Sequence, residues 1–381
     1  MIRSFRGPSF RLAGSEVRLH VSWAAVLPIL AAIVAFSRMP TVFPGLDALA
    51  AVAAGLIAAS LALVGALVHE MGHILAARAR HVPHGPTILY FFGGVDASDR
   101  PLSGPGDEGL VAVAGPVASL AAAAVLGALA VAAASLDGQA AAAAREALVV
   151  GAGFSLLIGL ANLLPGDPLD GGRIVHGLAW RISGDPRRAR GTTARVGRSV
   201  GLLMVGGGFV VALAGDVTSS IVLILAGWFV RTGAIAAERR ATLRDLVGDL
   251  TVADAMDPDP PEVATTLTLD TFAPAAVEEG ALDAFAVTRE GTVVGVLGVR
   301  AIRRLRREAW PATRVEDAMT VIGDLGNLSP DGPLWPALEE LQRSGRDALP
   351  VLRDGSFAGL LTRMSATRTI RERAALAGRS A

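Results

Sequence analysis

The chain has 381 residues, 52% of them hydrophobic, no cysteine, and a formal net charge of zero from 35 basic and 35 acidic residues. It is too apolar for a single soluble globule and too long for a membrane bundle alone. The balanced charge gives no ground for nucleic-acid binding, and without thiols any zinc must be held by histidine and carboxylate.

The apolar excess is uneven. Residues 1–237 hold nearly all the long uncharged runs, whereas 238–381 have ordinary charge density. The reading is a polytopic α-helical membrane domain over 1–240, followed by an α+β cytosolic domain over 241–372. Every basic residue is arginine, which together with 44 glycines and abundant alanine suggests a high-GC bacterial source. The stretch before Val21 has no apolar core followed by a small-residue cleavage site, so it does not read as a signal peptide.

In chain order, six hydrophobic spans fall at about 19–38, 48–76, 109–134, 147–165, 199–215 and 217–236. Arginines cluster before the first span (Arg3, Arg6, Arg11, Arg18) and after the second (Arg78, Arg80). They recur after the fourth (Arg173, Arg181, Arg187, Arg188, Arg190) and the sixth (Arg231, Arg239, Arg240). The opposite connections hold few, which places the N-terminus and the tail in the cytoplasm, on the inner face of a bacterial plasma membrane. His20, at the start of the first span, reads as interfacial.

Inside the second span lies His69-Glu70-Met71-Gly72-His73, preceded by an uncharged run over 48–68. Residues four apart share a helix face, so both imidazoles can meet one metal ion. Glu70 leaves the helix about 100° from His69, beside the metal but not obliged to bind it. That is where a general base for a metal-bound water belongs. Ionisable residues at this depth are functional by default, because burying them is costly unless a partner offsets it.

After this span, residues 87–95 are β-prone and end in Phe92-Gly93-Gly94-Val95. One reading is a short membrane-associated hairpin whose edge pairs with an extended substrate; the other is an interfacial loop. The third span begins Ala114-Gly115-Pro116-Val117-Ala118-Ser119, small residues read as close helix packing and not as chemistry. The fourth ends Asn162-Leu163-Leu164-Pro165-Gly166-Asp167-Pro168-Leu169-Asp170-Gly171-Gly172, where the prolines break the helix at a depth similar to His69. Asp170 can there complete a His-His-Asp site with a fourth position left for water, or the segment is a plain turn; Asp167 is the rival ligand. Asn162 is either a buried amide or a donor to a tetrahedral oxyanion. His81 and His84 read as interfacial, or as metal contacts in an inactive state, and His176 as structural.

These residues resemble the site-2 protease family of intramembrane zinc metalloproteases. The match is carried by His69-Glu70-x-x-His73 in one membrane helix, Asn162-x-x-Pro165-x-x-x-x-Asp170-Gly171 in a later one, and the Phe92-Gly93-Gly94 hairpin between them. The resemblance implies that His69, His73 and Asp170 bind one zinc ion per chain and that Glu70 activates its water. It implies a core of spans two to four, and substrates that are transmembrane segments of other proteins, such as anti-sigma factors or membrane-tethered regulators. Asn162 is then placed at the oxyanion, and Phe92, Gly93 and Gly94 at the substrate strand.

The tail contains an internal repeat. Val252-Ala253-Asp254-Ala255-Met256 matches Val315-Glu316-Asp317-Ala318-Met319 at an offset of 63, and residues 283–297 match 347–361 at 64. The units, about 248–308 and 312–371, must stack to bury a shared core. They resemble a tandem pair of CBS domains, which would imply adenine-nucleotide sensing. The family's Ser/Thr-x-x-Asp is replaced here by Gly298-x-x-Ala301 and Thr362-x-x-Ser365. That departure speaks against nucleotide binding and for a degenerate pair used in dimerisation or docking. The rival reading of the whole chain is a CBS-regulated transporter or metal carrier with an intramembrane His/Asp ion path, and a third is an inactive binding platform.

Overall fold

The computed structural model describes residues 8–82, 85–90, 93–96, 104–274 and 282–379. The chain divides into two compact units, with the boundary between Arg239 and Arg240.

The first unit opens with a hairpin, β1 (Ser9–Leu12) and β2 (Ser15–Leu19), whose turn uses left-handed Ala13 and Gly14. Next come α1 (Ser22–Ile33), a π-turn over Val34–Arg38 and the short α2 (Met39–Val42). The long α3 (Ala48–Ala79) follows, capped by the Asp47 side chain, which accepts from the amide of Ala50. Strands β3 (Thr87–Tyr90) and β4 (Gly93–Asp96) pair antiparallel, which is the hairpin and not the interfacial loop of the two readings. The remaining helices are α4 (Pro105–Ala132), α5 (Gln139–Asn162), α6 (Asp170–Ser183), α7 (Pro186–Leu213) and α8 (Val217–Val247).

Six helical stretches among the described residues are long and apolar enough to cross a membrane: Ser22–Val42, Ala48–Ala79, Pro105–Ser135, Gln139–Asn162, Pro186–Leu213 and Val217–Val247. Several begin or end well beyond the apolar runs read from sequence. The fourth starts at Gln139 because its charges are accommodated: buried Glu146 accepts from Arg38 Nε at 2.6 Å. Hydropathy registers only the lipid-facing middle of such helices.

Small residues set the packing. The buried stripe of α3 runs Ala51, Ala54, Ala58, Ala62, Ala66, His69, His73 and Ala77, and that of α5 runs Ala143, Ala147, Gly151, Ser155, Gly159 and Asn162. Both keep the spacing of one helical face, and the absence of bulk lets backbones approach closely. A Cβ at Gly72 would lie 2.5 Å from the Ala114 carbonyl oxygen, so α3 and α4 touch there through glycine.

The hairpin read from residues 87–95 belongs to a larger sheet of order β1-β2-β3-β4, in which β2 and β3 are parallel. Trp23 Nε1 and the His20 amide both donate to the Leu89 carbonyl, which ties the sheet to the start of α1. After the break at Pro165–Pro168 the chain re-enters a helix at Asp170 itself. Neither sequence reading of this segment, a break that presents Asp170 or a plain turn, includes α6, which closes on left-handed Gly184.

In the second unit the repeat is structural. β6 (Ala284–Arg289) and β7 (Thr292–Gly298) recur as β9 (Ala348–Arg353) and β10 (Ser356–Thr362), each residue shifted by 64. β5 (Glu262–Ala264) and β8 (Thr320–Val321) flank the first hairpin. Both hairpins turn on two left-handed residues, Glu290 and Gly291 (φ 52° and 77°) and Asp354 and Gly355 (φ 51° and 82°). This is the two-residue loop that matches strand twist. Each repeat also caps the other. Asp347 Oδ2 accepts from the Arg300 amide at 2.9 Å, starting α9 (Val299–Arg304), and Asp283 Oδ2 accepts from the Met364 amide at 2.6 Å in the last helix, Arg363–Arg379.

Candidate metal centre

The i, i+4 spacing on α3 brings His69 and His73 to the same side of the helix, with ring centroids 4.9 Å apart. Asp170, the first residue of α6, meets them: its Oδ2 lies 3.0 Å from His69 Nε2 and 3.1 Å from His73 Nε2, and the two Nε2 atoms are 3.3 Å apart. Among the described residues these three form the group able to hold a metal ion, and Asp167 is outside it. All three are buried.

The outward side of each imidazole is fixed by α4. His69 Nδ1 lies 2.9 Å from Ser119 Oγ and His73 Nδ1 lies 2.8 Å from the Val111 carbonyl oxygen. With hydrogens on both Nδ1 atoms, each Nε2 turns a lone pair inward. Two lone pairs and a carboxylate oxygen then face one another with nothing positive between them, which is the chemistry of a cation site. Their separations also match the edge of a tetrahedron around zinc, about 3.3 Å for bonds of ~2.0–2.1 Å. The donor set therefore fits zinc.

Glycine gives this arrangement its room. A Cβ at Gly115 would lie 2.2 Å from His73 Nε2, so α4 presents bare backbone to the ring. A Cβ at Gly94 would lie 2.0 Å from Glu70 Oε2, so strand β4 passes directly over the Glu70 carboxylate. Glu70 is 3% exposed. β4 is the outer strand of its sheet among the described residues.

Asn162, the last residue of α5, is buried and donates from Nδ2 to the Ile158 carbonyl at 3.0 Å. Phe92 and His84 lie outside the described residues. His81 is exposed just past α3, with a left-handed φ of 56°. His20 accepts from the Ser22 amide through Nδ1 and packs on the Tyr90 ring. His176 faces the Pro186 carbonyl oxygen at 3.3 Å.

Ser119, Gly115 and the Val111 carbonyl are the site elements that the sequence reading did not find. The stretch Ala114–Ser119 reads as packing alone, and the structure corrects this: it packs and also fixes the His69 ring through Ser119 and makes room for the His73 ring at Gly115. The available signal is a hydroxyl four residues after a glycine, on the span that follows the one carrying His69 and His73.

Comparison with known proteins places these observations. The model of peptidase family M50 matches residues 127–206. Rip3 of Mycobacterium tuberculosis, classed as a zinc metalloprotease, is 31% identical over 370 residues, covering 95% of this chain and 92% of Rip3. The site-2 protease of Methanocaldococcus jannaschii aligns at 23% identity and a TM-score of 0.40, over 61% of this chain and 96% of that one. A CBSX2 structure in complex with AMP aligns at 25% identity and a TM-score of 0.28, over 32% of this chain and 96% of that one. On its match to Rip3, the chain belongs to the site-2 protease family, as a zinc-dependent metalloprotease that cleaves membrane-spanning proteins within the membrane.

Proposed function

We propose that His69, His73 and Asp170 hold one zinc ion per chain and that Glu70 is the general base of peptide hydrolysis. The observation that carries this is the convergence of three buried inward-facing donor atoms, at 3.0–3.3 Å, beside a buried carboxylate on the same helix. Zinc, when held there, supplies a Lewis acid that polarises the scissile carbonyl and makes water a better nucleophile. Glu70 takes the proton from the attacking water and delivers it to the leaving amine. Asn162 has one amide hydrogen committed to Ile158, and the second is the one it offers to the developing oxyanion.

A helical amide is shielded by its own hydrogen bonds, so the substrate must reach Glu70 unwound. Gly93 and Gly94, with Phe92 beside them, are read as the strand that receives it by edge pairing over the Glu70 carboxylate. The substrate class we favour is a single membrane-spanning anti-sigma factor or membrane-tethered regulator. The arginine distribution supports a bacterial inner-membrane protein with its N-terminus and tail in the cytoplasm. The first unit acts as the protease and the tail as a regulatory module. A Cβ at Gly298 would lie 2.4 Å from Asp347 Oδ2, so a protein carboxylate fills the place where the family's pattern would carry a nucleotide-facing side chain. That supports a tail that docks or dimerises without nucleotide.

The test is zinc content and cleavage of a membrane-spanning reporter in vesicles. One zinc per chain should vanish in His69→Ala and Asp170→Ala and persist in Asp167→Ala and Glu70→Gln, with Glu70→Gln inactive. Zinc retained without Asp170 would sink the three-ligand site.

A further inference from the structure

We propose that Asp107 and Glu108, adjacent in the first turn of α4, are positioning residues that hold the two ligand-bearing segments in register. The inference rests on the reading of His69, His73 and Asp170 as the zinc ligands.

Those ligands come from elements far apart in sequence, α3 and α6, yet metal–ligand distances tolerate only about 0.2 Å of error. Something must fix one segment against the other, and α4 touches both. Its Val111 carbonyl accepts from His73. Three residues earlier, on the same face of α4, Glu108 Oε1 accepts from Arg173 Nε at 3.4 Å and lies 4.0 Å from His176 Nδ1. Arg173 in turn sits three residues after Asp170, on that residue's face of α6. α4 is thus tied to both ligand-bearing helices, to α3 by the Val111 carbonyl on His73 and, one turn earlier, to α6 by Glu108 with Arg173.

Asp107 reaches the other way. Its Oδ1 accepts from Arg80 Nε at 2.7 Å, and Arg80 closes the C-terminal end of α3, two turns beyond His73. Neighbouring carboxylates therefore diverge, one to the helix of the histidines and one to the helix of Asp170. Both are well covered, at 16% and 15% side-chain exposure, while their arginines reach outward at 51% and 37%. The contact is close as well as charged: a Cβ at Gly177 of α6 would lie 2.9 Å from the Pro105 carbonyl oxygen at the start of α4.

A simpler role exists for two acids in a first turn, which is to complement the positive end of the helix. That role needs the carboxylates but not Arg80 or Arg173, and so it can be separated. Cleavage activity is not required as the readout. The full chain in detergent is loaded with Co2+, whose visible spectrum reports ligand geometry, and its transfer to a chelator is timed. Asp107→Asn and Arg80→Gln should each change the spectrum and speed cobalt release about three- to fivefold, the scale of a partly exposed ion pair. Glu108→Gln and Arg173→Gln should do the same, and the exchanged pair Glu108→Arg with Arg173→Glu should recover most of the wild-type rate. Wild-type spectra and release rates in all four single variants, whatever their melting temperatures, would overturn the proposal. So would effects confined to the carboxylate variants. A wild-type chain that takes up no cobalt would remove the metal site itself, and the clamp with it.

Discussion

Gly115→Ala adds a single methyl group and leaves helix propensity improved, yet it should cost the protein its metal. The added Cβ would stand 2.2 Å from His73 Nε2, 2.5 Å from Cε1 and 2.8 Å from Cδ2. An ordinary contact is about 3.5 Å, so the ring must retreat by about 1.3 Å. It cannot do so and stay a ligand, because its Nδ1 is held by the Val111 carbonyl at 2.8 Å and metal–ligand bonds tolerate about 0.2 Å. Disturbing a group that merely orients a ligand costs roughly 10–100-fold in metal affinity, about 1.4–2.8 kcal/mol, and displacing the ligand should cost at least that. The assay is competition for zinc between detergent-solubilised protein and a chromophoric chelator. Gly127→Ala on the same helix serves as control, since nothing lies within 4 Å of its Cβ. Zinc affinity within twofold of wild type in Gly115→Ala would refute the geometry.

Gly94→Ala should behave differently. Its Cβ would displace the Glu70 carboxylate and no ligand, so turnover of a membrane-spanning reporter should fall at least tenfold while zinc content stays at wild type; loss of zinc would count against this assignment. Ser119→Ala removes the partner of His69 Nδ1 and should weaken zinc roughly 10–100-fold, with Ser119→Thr recovering part of the loss; an unchanged chelator titration would show that the hydroxyl does not orient the ring. In the tail, burial raises the Asp347 carboxyl above its ordinary value, against the opposing pull of the Arg300 amide and guanidinium. A raised carboxyl contributes its full stability below the unfolded value, about 4, and loses it as pH climbs through the folded one. Amide-exchange protection of β9, corrected for intrinsic rates, should therefore decline as pH rises above about 4, and Asp347→Asn should flatten that decline. Asp254 has the opposite sign: bonds from the Thr251 amide and hydroxyl lower it, so its contribution is present above about 4 and fades on acidification, a fade that Asp254→Asn should abolish.

What the sequence disclosed depended on whether the physics was local. His69, Glu70 and His73 are legible because one helical turn fixes their relation, and the repeat is legible because both hairpins reuse the same left-handed pair at the same offset. Asp170 was readable through the proline break before it. Its helix was not, because Asp167-Pro168 and Gly171-Gly172 read as turn chemistry and obscured the apolar face that follows. The N-terminal strands were hidden by Arg3, Arg6, Arg11 and Arg18, which read as topology signals although Phe10, Leu12, Val17 and Leu19 alternate around Gly14. The Val111 carbonyl was beyond reach for a deeper reason, since any residue at 111 supplies one. Ser119 and Gly115 look like every other small residue in a membrane span until the ring they support is known.

The crossed aspartate caps in the tail carry a consequence for how it comes apart. Because Asp283 caps a helix of the second repeat and Asp347 caps one of the first, each repeat draws part of a helix start from the other. The last helix also keeps a cap of its own, with the Ser365 amide donating to Thr362 Oγ1 at 3.0 Å. Pulling the halves apart breaks both capping bonds in a single event and returns the amides and carboxylates to water, a loss of roughly 1–3 kcal/mol for each bond to a charged group. The halves should melt together as one cooperative transition, and a truncation that deletes either should cost the survivor a helix-capping bond as well as its neighbour.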